Sequence, residues 1–269
     1  MKRLNLQEQQ EIVRQYAAGD SSLIVAKRFH VWPKTVRMCL ERHNVSRRSH
    51  FEANRKYKFN QDFFETIDNE EKAYWLGFLA ADGGVCNRSL VLALAVKDRD
   101  HLQRFASALQ ANYPIRTYTY KHTSCRFVVT SKKTISDLEK WGVTKKKTYI
   151  LPWPTLPRTL QHHYLRGYAD GDGSWVVTKG KKSNVLFFSL MGQPQFLVDC
   201  QKYLIREAKM SCNKIYPHAY RRVSSLVYGG SLQALQLFSF LYKDATIYLP
   251  RKRNKVLQFI REREVRNGY

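Results

Sequence analysis

The hydrophobic pattern begins with three short amphipathic segments. Apolar residues recur at helical spacing in EQQEIVRQYAAG, SLIVAKRF and KTVRMCLERHN, all within residues 7–45. Gly19 ends the first segment, Asp20 or Ser21 can cap the second, and Pro33 can occupy the first turn of the third. The pattern therefore predicts three helices.

The tight turn and the basic third helix are typical of a helix-turn-helix DNA-binding domain, which we place at residues 1–45. Lys34, Thr35 and Arg37 would contact DNA from the start of the third helix. A three-helix bundle without that function is the alternative. Residues 46–60 are rich in Arg and Lys and predict a basic linker, in which Arg47 and Arg48 would follow the DNA backbone.

Two apolar helical runs farther along the chain resemble each other. WLGFLAADG spans Trp75–Gly83 and LRGYADGDG spans Leu165–Gly173. Small residues spaced by four share one face of each helix, which lets two backbones approach closely. These interface residues are Gly77, Ala81, Gly167 and Gly171. If the two helices pack together, Asp82 and Asp172 lie side by side.

The pattern after each run also repeats. Each half predicts a helix, two strands, a helix, two strands and a helix, an αββαββα order. TYILP at residues 148–152 matches TIYLP at residues 246–250 near the end of each half. We assign the two repeats to residues 61–155 and 156–269.

These motifs resemble the signature of the LAGLIDADG homing endonucleases, in the form with both repeats in one chain, over roughly residues 57–260. The glycines and the metal-binding acid of that motif match in both copies, at Gly77, Asp82 and Gly83 and at Gly167, Asp172 and Gly173. The sixth position, usually Asp, is Asp170 in the second copy but Ala80 in the first. The resemblance implies an α+β fold, two pseudo-symmetric repeats with an antiparallel β saddle facing DNA, preceded here by the small all-α domain.

Paired carboxylates in such a protein suggest metal-dependent hydrolysis of phosphodiesters, because carboxylate-bound divalent ions activate water and stabilise the leaving alkoxide. Asp82 and Asp172 are the expected ligands, with backbone oxygens of Gly83 and Gly173 (or of Ala81 and Gly171) adding to them. Carboxylate and carbonyl oxygens suit Mg²⁺. We expect two or three Mg²⁺ ions per active centre, with Mn²⁺ as a substitute. The function predicted is a Mg-dependent endonuclease that cuts both strands of duplex DNA at a long specific site.

The resemblance further implies a catalytic lysine near the end of each repeat. Aligning TYILP on TIYLP pairs Lys145 with Lys243, which are the candidates that we name. Lys97 is a weaker candidate.

The hairpins of the two repeats would present side chains to the DNA, since alternate residues of a strand share one face. The candidate DNA-contacting residues are Arg116, Tyr118, Tyr120, Arg126, Lys179, Lys181, Lys182, His218, Tyr220 and Arg222.

Composition supports a polyanionic partner. The chain has 269 residues and a formal net charge of +24, which restricts the partner to nucleic acid or an anionic surface. Five cysteines without a CxxC pair argue against a zinc ribbon or a disulfide framework. No signal peptide or membrane span is recognisable. We therefore expect an intracellular, cytoplasmic monomer of prokaryotic or phage origin that does not bind membranes.

Two other functions are compatible with the same fold. One is a DNA-binding transcriptional regulator that does not cut, and the other is an RNA maturase that assists intron splicing. The retained acids argue against the regulator, and the helix-turn-helix favours duplex DNA over RNA. The adjacent His162 and His163 lack the Asn-His partner of an HNH nuclease.

Overall fold

The computed structural model describes residues 4–47, 57–120, 123–180, 183–218 and 222–266. It divides the chain into two compact units, residues 1–57 and 58–269. Each unit has its own hydrophobic cluster.

The first unit consists of three helices. They are α1 (Leu6–Ala17), α2 (Ser22–Phe29) and α3 (Pro33–Arg42). The Asn5 side chain caps α1 by accepting from the Glu8 amide at 2.8 Å, and α2 ends at His30, whose φ of 54° is left-handed. Ile12, Val25 and Val36, one from each helix, are fully buried in the centre. The helices lie where the apolar periodicity predicts them.

The second unit contains two similar halves. The first half comprises α4 (Glu70–Asp82), β1 (Gly83–Cys86), β2 (Ser89–Ala95), α5 (Arg99–Ala108), β3 (Arg116–Thr119), β4 (Thr123–Thr130), α6 (Lys132–Lys140) and the single turn α7 (Lys147–Ile150). The second half comprises α8 (Arg158–Asp172), β5 (Gly173–Lys179), β6 (Asn184–Gly192), α9 (Pro194–Ala208), β7 (Ile215–Pro217), β8 (Ser224–Tyr228), α10 (Ser231–Tyr242) and α11 (Pro250–Arg266).

Each half folds its strands into one four-stranded antiparallel sheet. The strand orders are β1-β2-β4-β3 and β5-β6-β8-β7. The registers correspond as well, because Gly83 pairs with Leu92 in the first sheet and Gly173 pairs with Leu190 in the second. The predicted fold class, α+β with two antiparallel sheets in repeated halves, is confirmed.

Helices α4 and α8 lie at the centre of the second unit, and α4 is apolar on nearly every side. Tyr74, Trp75 and Leu76 of α4 are inaccessible to solvent, as is Tyr164 of α8. A helix that is hydrophobic all round must be covered by protein. Among the described residues, no helix combines the length and the apolar character needed to cross a membrane.

Candidate active site

The backbones of α4 and α8 touch at their glycines. A Cβ added at Gly77 would fall 1.9 Å from the Tyr164 carbonyl oxygen, and one added at Gly167 would fall 2.0 Å from that of Tyr74. A Cβ added at Gly171 would meet the side chain of Ala81. The four small residues singled out by their spacing therefore lie at the contact between the two helices.

This packing brings the ends of both helices together, each ending in an aspartate. Both carboxylates reach solvent, yet protein atoms crowd around them. Burial raises the pKa of Asp172, and the negative charge of Asp82 adds to the effect, so that the pKa rises to about 6. Burial likewise raises the pKa of Asp82, against the opposing charges of Lys252, Lys147 and Arg251. The two acids thus share one electrostatic site, in which the charge of Asp82 disfavours the ionised form of Asp172.

Two buried lysines lie at the same place. Lys147 Nζ donates to the carbonyl of Ala80 at 2.8 Å and to that of Ala81, both at the end of α4. Lys252 Nζ donates to the carbonyls of Gly171 at 2.7 Å, Ala169 at 3.2 Å and Gly173, at the end of α8. Each ammonium is thus held by the motif helix of its own repeat.

The charge of each lysine also acts on the acid of the other repeat. The largest attractive partner of Lys147 is Asp172, and the largest opposing charge on Asp82 is that of Lys252. Burial lowers the pKa of Lys147, and burial lowers that of Lys252 to about 8. The arrangement forms two half-sites, Asp82 with Lys252 and Asp172 with Lys147.

The lysines named from sequence do not occupy these buried positions. Lys145 and Lys243 are exposed, as is Lys97. Lys147 precedes the TYILP segment, whereas Lys252 follows TIYLP, so no single alignment of the two segments pairs them. The buried lysines whose charges act on both acids are Lys147 and Lys252.

The donor set fits a hard divalent cation. Two carboxylates and phosphate oxygens are the ligands that Mg²⁺ prefers, and Mg²⁺ keeps several waters. No cluster of three or more His, Cys, Asp or Glu occurs among the described residues, so a cation held by the two carboxylates would take its other ligands from water and substrate oxygens. Of the backbone oxygens expected to add to the shell, those of Ala81, Gly171 and Gly173 accept hydrogen bonds from the two lysines. Gly83 pairs with Leu92 in the sheet.

Comparison with solved structures shows what this architecture is. The LAGLIDADG meganuclease I-AabMI, solved with uncleaved DNA, superposes with a TM-score of 0.51 at 14% identity, over 75% of this chain and 92% of that one. The I-LtrWI LAGLIDADG homing endonuclease, solved with target DNA, superposes with a TM-score of 0.51 at 11% identity, over 74% and 92%. The chain has the LAGLIDADG fold. No protein-family model matches the sequence, and neither does any curated protein.

The two LAGLIDADG helices differ at the sixth motif position. Asp170 is fully buried and accepts from the Tyr242 hydroxyl at 2.6 Å, the Leu249 amide at 2.7 Å and the Tyr74 hydroxyl at 2.9 Å. Tyr74 also lies 2.9 Å from His101 Nε2. Because the Tyr74 proton goes to Asp170, Nε2 must carry the proton of that second bond. Asp170 thus connects α8 to α4, α10 and the segment before α11.

A second buried network begins at α8 and includes the histidine pair. Arg166 donates to Glu70 of α4 at 2.5 Å and to the carbonyls of Leu241 and Ile247. It also contacts His163 Nδ1 at 2.9 Å. The histidine is therefore part of a structural network.

One face of the first sheet carries the predicted DNA contacts. Arg116 pairs directly with Arg126 in the β3–β4 register, and the Arg126 guanidinium lies 5.0 Å from the centre of the Tyr118 ring. All three side chains are exposed. Tyr120 follows β3 and is 90% exposed.

The second sheet presents a matching pair that sequence reasoning missed. Tyr216 of β7 opposes Ser225, as Tyr118 of β3 opposes Ser124. Lys214 Nζ lies 5.6 Å from the Tyr216 ring centre. The β7 strand has only three residues, too few for its alternation to be recognised, although the Lys-x-Tyr spacing was visible.

The remaining predicted DNA contacts lie in several places. Lys179, His218 and Arg222 are exposed, and the Arg222 guanidinium lies 5.9 Å from the Tyr149 ring centre. In the first unit, Lys34 and Arg37 are exposed on α3, Thr35 is half-buried, and Arg47 pairs with Glu41 at 3.6 Å. Four further candidates, Arg48, Lys181, Lys182 and Tyr220, lie outside the described residues.

Proposed function

We propose that the protein is a site-specific, divalent-metal-dependent endonuclease that hydrolyses both strands of duplex DNA. The observation that carries this proposal is the pair of carboxylates at the ends of α4 and α8, each facing a buried lysine held by the other repeat. Two half-sites related by pseudo-symmetry suit a substrate with two antiparallel strands. The structural neighbours solved with DNA support the same substrate.

Asp82 and Asp172 would hold the metal between them, since their mutual repulsion is relieved by a cation. Bound Mg²⁺ would supply a nucleophilic water and charge stabilisation at the leaving oxygen. Lys147 and Lys252 would donate hydrogen bonds to the attacking water or to the phosphate. A lysine with a pKa near 8 exchanges its proton readily at neutral pH, which suits proton transfer to a leaving oxygen.

The β sheets would hold the duplex. Arg116 and Arg126 repel each other in the free protein, because like charges directly opposite across a sheet are destabilising. A phosphate between them removes that repulsion. Tyr118 and Tyr216, each with a cation beside its ring, occupy corresponding places in the two sheets and extend the contact on both sides.

The first unit would add a second DNA contact through α3. Its acids are paired or used in capping, in contacts such as Glu11 with Arg14, Asp20 with Arg28 and Glu8 with Asn5. Four basic residues of α2 and α3 form no ion pair among residues 4–47, namely Lys27, Lys34, Arg37 and Arg42. These two helices therefore carry positive charge that the protein does not neutralise. Such a surface binds phosphates.

The test is cleavage of a plasmid library by the full chain in Mg²⁺ and in EDTA, beside Asp82→Asn and Asp172→Asn. Linear products at discrete sites, formed only in Mg²⁺ and lost in both variants, would establish the endonuclease. Cutting that persists in both variants would overturn the assignment of the acids. Tight binding of duplex DNA without cutting in Mg²⁺ or Mn²⁺ would indicate the regulator instead, and preference for folded RNA would indicate the maturase.

A further inference from the structure

An ion pair joins the two repeats beside one half-site. Arg251 lies next to Lys252 in the first turn of α11, and its Nε lies 2.9 Å from both carboxylate oxygens of Asp98. Asp98 is the N-cap residue of α5, in the other repeat, and is only 6% exposed. Arg251 therefore fixes the turn that carries Lys252 to a buried anchor across the repeat boundary.

The charge of Arg251 also acts on the half-site itself. Burial raises the pKa of Asp82. The charge of Arg251 is one of three that oppose this rise, and the charge of its partner Asp98 adds to the rise. Burial lowers the pKa of Lys252. The negative charge of Asp170 opposes this lowering, and the positive charge of Arg251 adds to it. The Nη groups of Arg251 make no hydrogen bond to the described residues, so they remain available to a phosphate oxygen.

The other half-site is built differently. Lys146 occupies the place before Lys147, and its side chain is exposed without an ion pair in the described ranges. Gln193 is the N-cap residue of α9, the position that Asp98 has in α5. Its side-chain oxygen accepts from the Phe196 amide of its own helix at 2.6 Å. A cavity of about 530 Å³, lined by Lys147, Asp172 and Gln193 among others, lies there.

We propose that Arg251, held by Asp98, is a positioning residue for the half-site of Asp82 and Lys252 alone, so that it governs the cutting of one DNA strand and not of the other. This inference rests on the proposed endonuclease function. Loss of the ion pair frees the first turn of α11, so Lys252 loses its fixed place near Asp82. Lys147 keeps its hydrogen bonds to Ala80 and Ala81, so the half-site of Asp172 and Lys147 retains its own ammonium.

The experiment uses the full chain and a supercoiled plasmid carrying a duplex selected for binding from a randomised library in EDTA. Cutting is started with Mg²⁺. Nicked and linear products are followed on the plasmid, and each strand is followed with its own end label on a linear duplex of the same sequence. The variants are Arg251→Gln, Asp98→Asn and Arg251→Lys, with Lys146→Gln as the matched control. Melting temperatures are recorded for each.

Arg251→Gln and Asp98→Asn should slow the same strand by ~10-fold or more, since a small misplacement of a reacting group costs rate steeply, and nicked circles should accumulate. Arg251→Lys, which keeps the charge and the ion pair, should recover part of that rate. Lys146→Gln should cut both strands as the unaltered protein does. Strand selectivity separates positioning from general destabilisation, which slows both strands alike.

Equal slowing of both strands, or no slowing, would overturn the inference while leaving the endonuclease standing. An unaltered protein that binds the duplex but cuts neither strand would overturn the endonuclease and this inference with it. The two failures are therefore distinguishable in one set of reactions.

Discussion

The Lys252 ammonium donates to the carbonyl of Gly171 at 2.7 Å, inside the second motif and one residue before its carboxylate. Lys147 makes the corresponding contact with Ala81 in the first motif. Each lysine thus donates a hydrogen bond to the carbonyl oxygen of the residue that precedes one of the two acids. This relationship gives each half-site a buried cation that the backbone of the motif helices holds.

The first prediction separates the buried lysines from the exposed ones. Lys147→Met and Lys252→Met should each lower the cleavage rate by ~100-fold, the usual contribution of a positioned proton donor, with DNA affinity little changed. Lys145→Met and Lys243→Met should cut normally, because both side chains are exposed. Single-turnover rates on a labelled duplex provide the measurement. If Lys147→Met and Lys252→Met both cut normally, the two lysines have a structural role and no role in cleavage.

The fold class was predictable because its signals are local. The repeated motif, the helix and strand order and the TYILP and TIYLP segments can each be recognised within a few residues. The lysines could not be identified in that way. Lys252 reaches the site from α11, and only the packing of α11 against α8 shows which lysine of PRKRNK lies there.

The second prediction concerns the helix contact. Gly77→Ala and Gly167→Ala should each destabilise the protein by about 3 kcal/mol or more, because each added methyl group would overlap a backbone carbonyl of the facing helix. Gly84→Ala is the matched control, since the nearest atom to its Cβ would be the Val91 oxygen at 3.6 Å. Urea unfolding measures the difference. If Gly84→Ala lowered the free energy of unfolding as much as the two helix variants do, the close approach of the helices would not be the cause of their destabilisation.

The third prediction concerns Asp170. In Asp170→Asn, an NH₂ group replaces one of the two carboxylate oxygens. One of these oxygens accepts from Tyr74 and Leu249 and the other accepts from Tyr242, so in either orientation the new NH₂ donor faces a donor. Leaving such a buried donor unpaired costs about 1–3 kcal/mol. Asp199→Asn, at a surface pair with Lys202, should be neutral. Equal unfolding free energies for the two variants would contradict the structural role of Asp170.

The fourth prediction concerns the first unit. Lys34→Ala with Arg37→Ala should weaken binding to duplex DNA and reduce the salt dependence of the binding constant, by about one unit of slope for each phosphate that the protein no longer neutralises. Arg14→Ala should bind normally, because Arg14 is paired with Glu11 at 2.6 Å on α1. Binding isotherms at several salt concentrations test this. An unchanged slope in the double variant would exclude α3 from the DNA contact.

The fifth prediction follows from the raised pKa of Asp172, which is about 6. The folded protein holds this proton more tightly than the unfolded chain does. Its stabilising effect is therefore complete below about pH 4 and lost as the pH rises through about 6. Asp172→Asn does not titrate, so in EDTA at about pH 7.5 it should melt above the unaltered protein, by about 2–4 °C for ~1 kcal/mol after allowance for solvent screening.

Mg²⁺ should reverse this order, so that the unaltered protein melts at a higher temperature than Asp172→Asn. Mg²⁺ binds the ionised pair in the folded state only, so excess Mg²⁺ should raise the melting temperature of the unaltered protein and not that of Asp172→Asn. Cleavage should rise with pH through about 6 as the Asp172 carboxyl ionises. A variant that melts lower than the unaltered protein in EDTA would mean that the charge of Asp172 is stabilised by the lysines without metal. The repulsion between the two acids would then not be what recruits the cation.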